Sequence, residues 1–165
     1  GGRPQPRPRG LFLTRSRKAG YPERVSIGAE ELLRGASLRV TRPRLAVLDA
    51  VTGHPHSDTD TVVRAVREDL PEVSTQAVYD VLRALTVAGL VRRIEPAGSV
   101  ARYEARVGDN HHHVVCRGCG TIADVDCAVD YRPCLVASDD HGFVIDEAEV
   151  TYWGLCPECA ALPVD

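Results

Sequence analysis

The sequence contains no methionine, only two phenylalanines and one tryptophan, and aromatic residues make up 5% of its 165 positions. No apolar run approaches the roughly 18 residues of a membrane-spanning helix, which excludes a membrane span. The longest early apolar stretch, Leu11–Leu13, is too short for the core of a signal peptide, so a cytoplasmic protein is expected. There is no internal repeat beyond a pair of CxxC motifs. No nucleophile or general-base motif is present either, so the chain is not expected to be an enzyme. Cysteine is absent before Cys116, and all six cysteines follow from there.

What is present is distributed unevenly. The chain is 44% hydrophobic and 26% charged, enough to build one ordinary domain or two small ones. Its net charge of −3 conceals a split: residues 1–107 carry 18 Arg/Lys against 12 Asp/Glu, and residues 108–165 carry 2 against 11. A basic front half suits a polyanion and an acidic, Cys/His-rich back half suits metal cations. Residues 1–24, with Arg3, Pro4, Pro6, Arg7, Pro8, Arg9, Arg15, Arg17 and Lys18, have little to bury and are expected to form a flexible basic tail. Residues 25–105 and 106–165 are the two expected domains.

The front half reads as helices followed by a hairpin. Helices are expected over Ile27–Gly35, from a Thr41 cap to Gly53, over Asp58–Leu70 up to Pro71, and from a Ser74 cap to Gly89. On the last of these, Val78, Val81, Leu82 and Leu85 form an apolar stripe, and Gln76, Tyr79, Asp80 and Arg83 fall on the opposite face. Leu90–Glu95 and Val100–Ala105, joined by Pro96-Ala97-Gly98-Ser99, read as a β-hairpin. The pattern is that of a winged helix-turn-helix. Gln76, Tyr79 and Arg83 would face the major groove, and Arg92, Arg93 and Arg102 would contact phosphates. After Gly108-Asp109-Asn110, strands are expected at His112–Cys116, Thr121–Val125 and from Phe143 to about Trp153. The fold class is therefore α+β, a winged-helix domain followed by a small C-terminal α/β domain.

Cys116-Arg117-Gly118-Cys119 and Cys156-Pro157-Glu158-Cys159 are two knuckles separated by 36 residues. Four thiolates satisfy tetrahedral Zn(II) and leave no open position, which predicts a structural rather than catalytic metal. Two disulfides are the alternative, and a chain without export signals argues against them. His111-His112-His113 precede the first knuckle. On a strand His111 and His113 face one side and His112 the other, so one strand can serve two sites. Cys127 and Cys134 lie outside both knuckles, as buried thiols or as a redox pair.

Thr41-Arg42-Pro43-Arg44, His54-Pro55-His56, Gln76-Ala77-Val78-Tyr79, Gly108-Asp109-Asn110-His111-His112-His113, both knuckles and His141-Gly142-Phe143 occur in a distinctive order. From about residue 30 to residue 160 the chain resembles the ferric uptake regulator (Fur) family, closest to its FurA-type actinobacterial members, which are associated with catalase-peroxidase genes and peroxide response. The resemblance implies a homodimeric, metal-dependent repressor of double-stranded operator DNA with a C-terminal dimerisation domain. It also implies a regulatory metal at the hinge, with His56, Glu104, His111, His113 and Asp124 as ligands and His56 preferred over His54. This sulfur-free set suits Fe(II), Mn(II), Zn(II) or Ni(II).

An Asp at position 124 is a mark of the peroxide-sensing branch, in which iron-catalysed oxidation of a liganding histidine, here His56 or His111, ends repression. Glu104 stands where that branch usually has Asp, which keeps a sensor of metal availability as the rival reading. A further family site on the other strand face is matched by His112 and His141. Asn110 and Tyr131 depart from its pattern, with Asp126 as a substitute ligand. Readings from other classes are an electron-transfer protein holding iron on the four knuckle cysteines, which leaves residues 27–107 unexplained, and a metallohydrolase.

Overall fold

Local chemistry starts and stops each helix of the front half. The computed structural model describes residues 28–96, 99–127, 134–146 and 148–162; the expected basic tail and Tyr131 lie outside them. Helices α1 (Ala29–Gly35), α2 (Arg42–Gly53), α3 (Thr59–Asp69) and α4 (Thr75–Val87) follow one another closely. The Asp58 carboxylate accepts the Thr61 N–H at 2.8 Å to cap α3, and the Ser74 hydroxyl accepts the Ala77 N–H at 3.1 Å to cap α4. Thr41 holds the cap position of α2 without a side-chain bond, and Pro43 in the first turn fixes the entry. Gly89, at φ +69°, takes the chain out of α4 through the left-handed region.

The apolar stripes of these helices meet in one core that includes Leu33, Val47, Val51, Val62, Val66, Val78, Leu82 and Leu85. The expected hairpin is present but short, with β2 (Arg92–Ile94) antiparallel to β3 (Arg102–Glu104). A two-residue strand that the sequence does not announce, β1 (Ser57–Asp58), adds to the other side of β3, giving the order β1-β3-β2. This pairing sets the loop ending at His56 beside the end of β3, where Glu104 lies.

In the second half β4 (His111–Cys116) is the central strand, with β5 (Ile122–Asp126) antiparallel on one side and β6 (Thr151–Gly154) parallel on the other. One further turn, α5 (Pro157–Ala160), carries the second knuckle. The long strand expected from Phe143 to Trp153 is a correction: only Thr151–Gly154 is paired, and Phe143, Val144 and Ile145 are exposed. A strand needs a neighbour to take its backbone groups, and only Thr151–Gly154 runs beside β4, against His113–Cys116. Val115 and Ile122 form a small second core that closes against Ile94 of the hairpin, so the halves touch. Helices come first and strands after, an α+β arrangement. Among the described residues no helix is long and apolar enough to cross a membrane.

The Thr61 N–H and hydroxyl hold the Asp58 carboxyl below its ordinary pKa, so the cap stabilises the fold at neutral pH and loses this contribution as the pH falls through that lowered value. Asp58→Ala is expected to cost about 1 kcal/mol in urea unfolding at pH 7, with Asp58→Asn recovering most of it. The difference should shrink in acid.

Candidate metal centres

The histidine strand and the end of the hairpin converge on one carboxylate. Glu104 is completely buried, and three imidazoles point at it. His56 Nε2 and His113 Nε2 each lie 3.1 Å from Oε2, and His111 Nε2 lies 3.1 Å from Oε1. Asp124 completes the group at the rim, with Oδ1 2.8 Å from His56 Nε2 and 3.9 Å from His113 Nε2. The register explains the meeting: His113 faces Asp124 across the β4–β5 ladder, and His111 shares its strand face. His54, by contrast, sits back on α2 with Nδ1 3.2 Å from the Ala50 carbonyl, so His56 is the histidine delivered to the cluster.

His56 reaches it at φ +59°, a conformation that costs a non-glycine residue about 1–3 kcal/mol unless its surroundings hold it. Arg102 does so by donating from Nη1 to the His56 carbonyl at 3.2 Å. Burial alone would raise the Glu104 pKa, but hydrogen bonds from His113 and His56 outweigh it and hold the carboxyl well below the usual range. Burial opposes protonation of His56, and the Glu104 and Asp124 carboxylates overcome it and raise its pKa. A cation entering the cluster competes with that proton.

Ligand atoms sharing a metal at bonds of about 2.1 Å stand roughly 3.0–3.4 Å apart, and the contacts of His56 and His113 with Glu104 Oε2, each 3.1 Å, have that spacing. His56, Glu104, His113 and Asp124 offer atoms within 4.8 Å of one another. Imidazole and carboxylate without sulfur suit Fe(II), Mn(II) or Zn(II). The expected ligands thus come together from both halves, with His111 bound to the second Glu104 oxygen.

Two residues that the sequence did not single out support them. Asp109 Oδ1 accepts from His111 Nδ1 at 2.8 Å, which leaves Nε2 facing Glu104 Oε1. Arg106 donates to Asp109 at 2.7 Å, Asp124 at 3.0 Å and Asp126 at 2.6 Å. It thereby fixes the outer oxygen of Asp124 and occupies Asp126. Only proximity in space reveals such roles: Asp109 lies inside the motif that leads into the histidines and Arg106 just before it, but neither position says which groups the side chain meets.

The knuckles form the second centre. All six cysteines are thiols, and Cys119 Sγ and Cys156 Sγ stand 3.7 Å apart, against roughly 3.8 Å for the edge of a tetrahedron of 2.3 Å Zn–S bonds. The four sulfurs lie within 4.8 Å of one another. The Cys156 N–H donates to Cys116 Sγ at 3.2 Å, and this bond is the main reason the Cys116 thiol is pulled down to about 6. Crowding against Cys156, Cys119 and Cys116 pushes Cys159 up to about 12, and a cation among the four sulfurs would favour its thiolate. Gly118, another residue the sequence left unremarked, is needed here: a Cβ there would meet Cys159 Sγ at 2.9 Å.

The remaining expected site residues are placed as follows. Gln76, Tyr79 and Arg83 lie exposed on α4 and, with Arg93 and Tyr103, line one open groove between the helix and the hairpin. Gln76 is bonded to Asp80 at 3.0 Å and Arg93 to Glu95 at 2.6 Å. Arg92 turns instead toward Glu149 of the second half at 3.6 Å, and Arg102 is committed to the His56 loop. His141 is exposed on Asp139, while His112 is buried beside Cys127 and Cys134 and away from the other two expected partners, His141 and Asp126.

Residues 35–152 match the family model described as the ferric uptake regulator family. The chain belongs to the ferric uptake regulator family. The Fur-family chain is 72% identical to the transcriptional regulator FurA of Mycobacterium tuberculosis over 130 residues, covering 79% of this chain and 88% of that one. The ferric uptake regulator of Pseudomonas aeruginosa, solved with manganese, is similar at a TM-score of 0.61 and 25% identity, over 79% of this chain and 99% of that one. A Campylobacter jejuni peroxide stress regulator is similar at a TM-score of 0.58 and 25% identity, over 79% and 95% of the two chains. As a member of this family the protein is a metal-responsive transcriptional regulator.

Two substitutions separate the centres. Cys159→Ser is expected to lose the metal of the knuckles and to lower the melting temperature sharply, read by metal analysis and calorimetry. Arg106→Ala should keep that metal and the melting temperature but weaken Mn(II) binding at the Glu104 cluster by roughly 10–100-fold in an EPR titration.

Proposed function

We propose that this Fur-family regulator is a homodimeric, metal-dependent repressor of double-stranded operator DNA, and that Fe(II) at the Glu104 cluster makes it a sensor of hydrogen peroxide. The observation that carries the reading is the origin of the ligands: His56 and Glu104 come from the helical half and His113 and Asp124 from the strand half. A cation bound by both halves favours one arrangement of the two and draws the population toward it. In a dimer this sets the spacing of two α4 helices, each with Gln76, Tyr79 and Arg83 outward for the major groove and Arg93 beside them for phosphate.

On this reading residues 25–105 are a winged-helix DNA-binding domain and 106–165 a dimerisation domain. Exposed Leu135, Val136, Phe143 and Val144 in the second half provide apolar surface for a second copy to cover. Zn(II) in the four-cysteine centre has a structural part, since no position remains open for a substrate. An oxidative-stress target, such as a catalase-peroxidase gene, and a cytoplasmic location complete the proposal.

Fe(II) held by these residues would supply the electron that activates peroxide; overall, hydrogen peroxide would be the two-electron oxidant, leaving one oxygen atom on a liganding imidazole and departing otherwise as water. His56 and His111 are the candidates. His56 stands at the partly open rim beside Asp124, and His111 is held by Asp109 with Nε2 toward Glu104 Oε1. Oxygen on either ring removes a ligand and with it the bias toward the DNA-binding arrangement. A second reading, sensing of metal availability alone, is favoured by Glu104 itself, which stands where the resemblance gives peroxide sensors Asp.

One experiment distinguishes them. The protein is loaded with Fe(II) without oxygen, bound to a duplex selected from a random pool, and treated with hydrogen peroxide. The expected outcome is DNA release together with one added oxygen on the His56 or His111 peptide. Release by a chelator but not by peroxide would instead establish the metal sensor, and oxidation confined to Cys127 and Cys134 would move sensing to thiols.

A further inference from the structure

We propose that His112, Cys127 and Cys134 form a third metal site, for Zn(II) or another borderline-to-soft divalent cation, on the face of β4 opposite the Glu104 cluster. One imidazole nitrogen and two sulfurs lie within 4.8 Å of one another, the third such grouping among the described residues. His112 Nε2 is 3.3 Å from Cys134 Sγ, close to the roughly 3.5 Å expected between nitrogen and sulfur on one tetrahedral Zn(II).

The imidazole is weakly satisfied on the side that faces the sulfurs. His112 is buried, one of its ring nitrogens meets only sulfur, and the other, Nδ1, has no partner. A cation on Nε2 would replace its weak contact with sulfur by a strong bond, while Nδ1, which points away from the sulfurs, would keep its proton.

The backbone presents the donors without adjustment. His112 alternates with His111 and His113 on β4, so it cannot serve their cluster. Cys127 follows β5 directly, and its N–H donates to the Asn110 carbonyl at 3.2 Å, which anchors it across the sheet from the histidine. Two thiolates and an imidazole differ in kind from the sulfur-free Glu104 cluster and favour a softer ion. Three protein donors leave a fourth position for water or another ligand, so this ion should exchange more readily than the one enclosed by four cysteines. The proposal does not rest on the DNA-binding reading.

Cobalt absorption tests it. Full-length reduced protein that retains its four-cysteine metal is titrated with Co(II), which absorbs strongly in the near ultraviolet only when thiolates bind it. The wild type should develop this band, and added Zn(II) should abolish it. Cys127→Ser and Cys134→Ser should each lose half of it or more, and His113→Ala should keep it. Should a serine variant fold poorly, alkylation of the wild type decides: Zn(II) should slow labelling of Cys127 and Cys134 about tenfold. The proposal is overturned by a wild type without the band, by a band that survives in the double serine variant, or by labelling that Zn(II) leaves unchanged.

Discussion

A carboxylate with no access to water joins the two halves of this protein. Glu104 is fully buried, and a buried charge is tolerated only when opposite or hydrogen-bonding groups surround it. Its partners come from two separate segments: the strained loop at His56, and β4 with His111 and His113. The β1–β3 pairing, the left-handed turn at Gly108 and the β4–β5 register all serve to deliver them. Taking away any one of these elements would strand the charge. The same convergence makes the arrangement of the halves sensitive to whatever occupies the cluster.

The second half has little core of its own. Val115 and Ile122 are buried with Ile94 borrowed from the hairpin, while several larger apolar residues face outward. A small sheet with so few buried side chains needs a covalent or metal tie. The knuckles bring four sulfurs that could hold a structural zinc between the end of β4 and α5, and the absence of a side chain at Gly118 lets the two approach. The two centres differ accordingly. Four sulfurs leave no open position on a tetrahedral ion, whereas the Glu104 cluster has one carboxylate, Asp124, at a partly open rim.

Motif spacing made the four cysteines, the histidine strand and the capped helices legible, because each of these depends on neighbours a few residues away. Ser74, Asp58 and Gly89 act where their positions suggested, and His56 rather than His54 reaches the cluster. The long strand expected from Phe143 failed because apolar alternation records a tendency to pair and says nothing about whether a partner strand is available. Arg102 and Arg92, read as phosphate contacts from their charge and place on the hairpin, lie beside the His56 carbonyl and Glu149 in the structure without DNA. Charge is visible in a sequence, but the groups that satisfy it are not.

The sequence by itself determined the division into a basic helical half and an acidic metal-binding half, the four sulfur donors and the two faces of the histidine strand. These follow from composition and from the short periods of helix and strand. Tertiary structure alone decided that Glu104 would be shared by three imidazoles, that Arg106 would hold three aspartates, and that His112 would meet Cys127 and Cys134. Most of those contacts join residues distant along the chain, and only sheet pairing and the packing of one half on the other bring them within bonding distance.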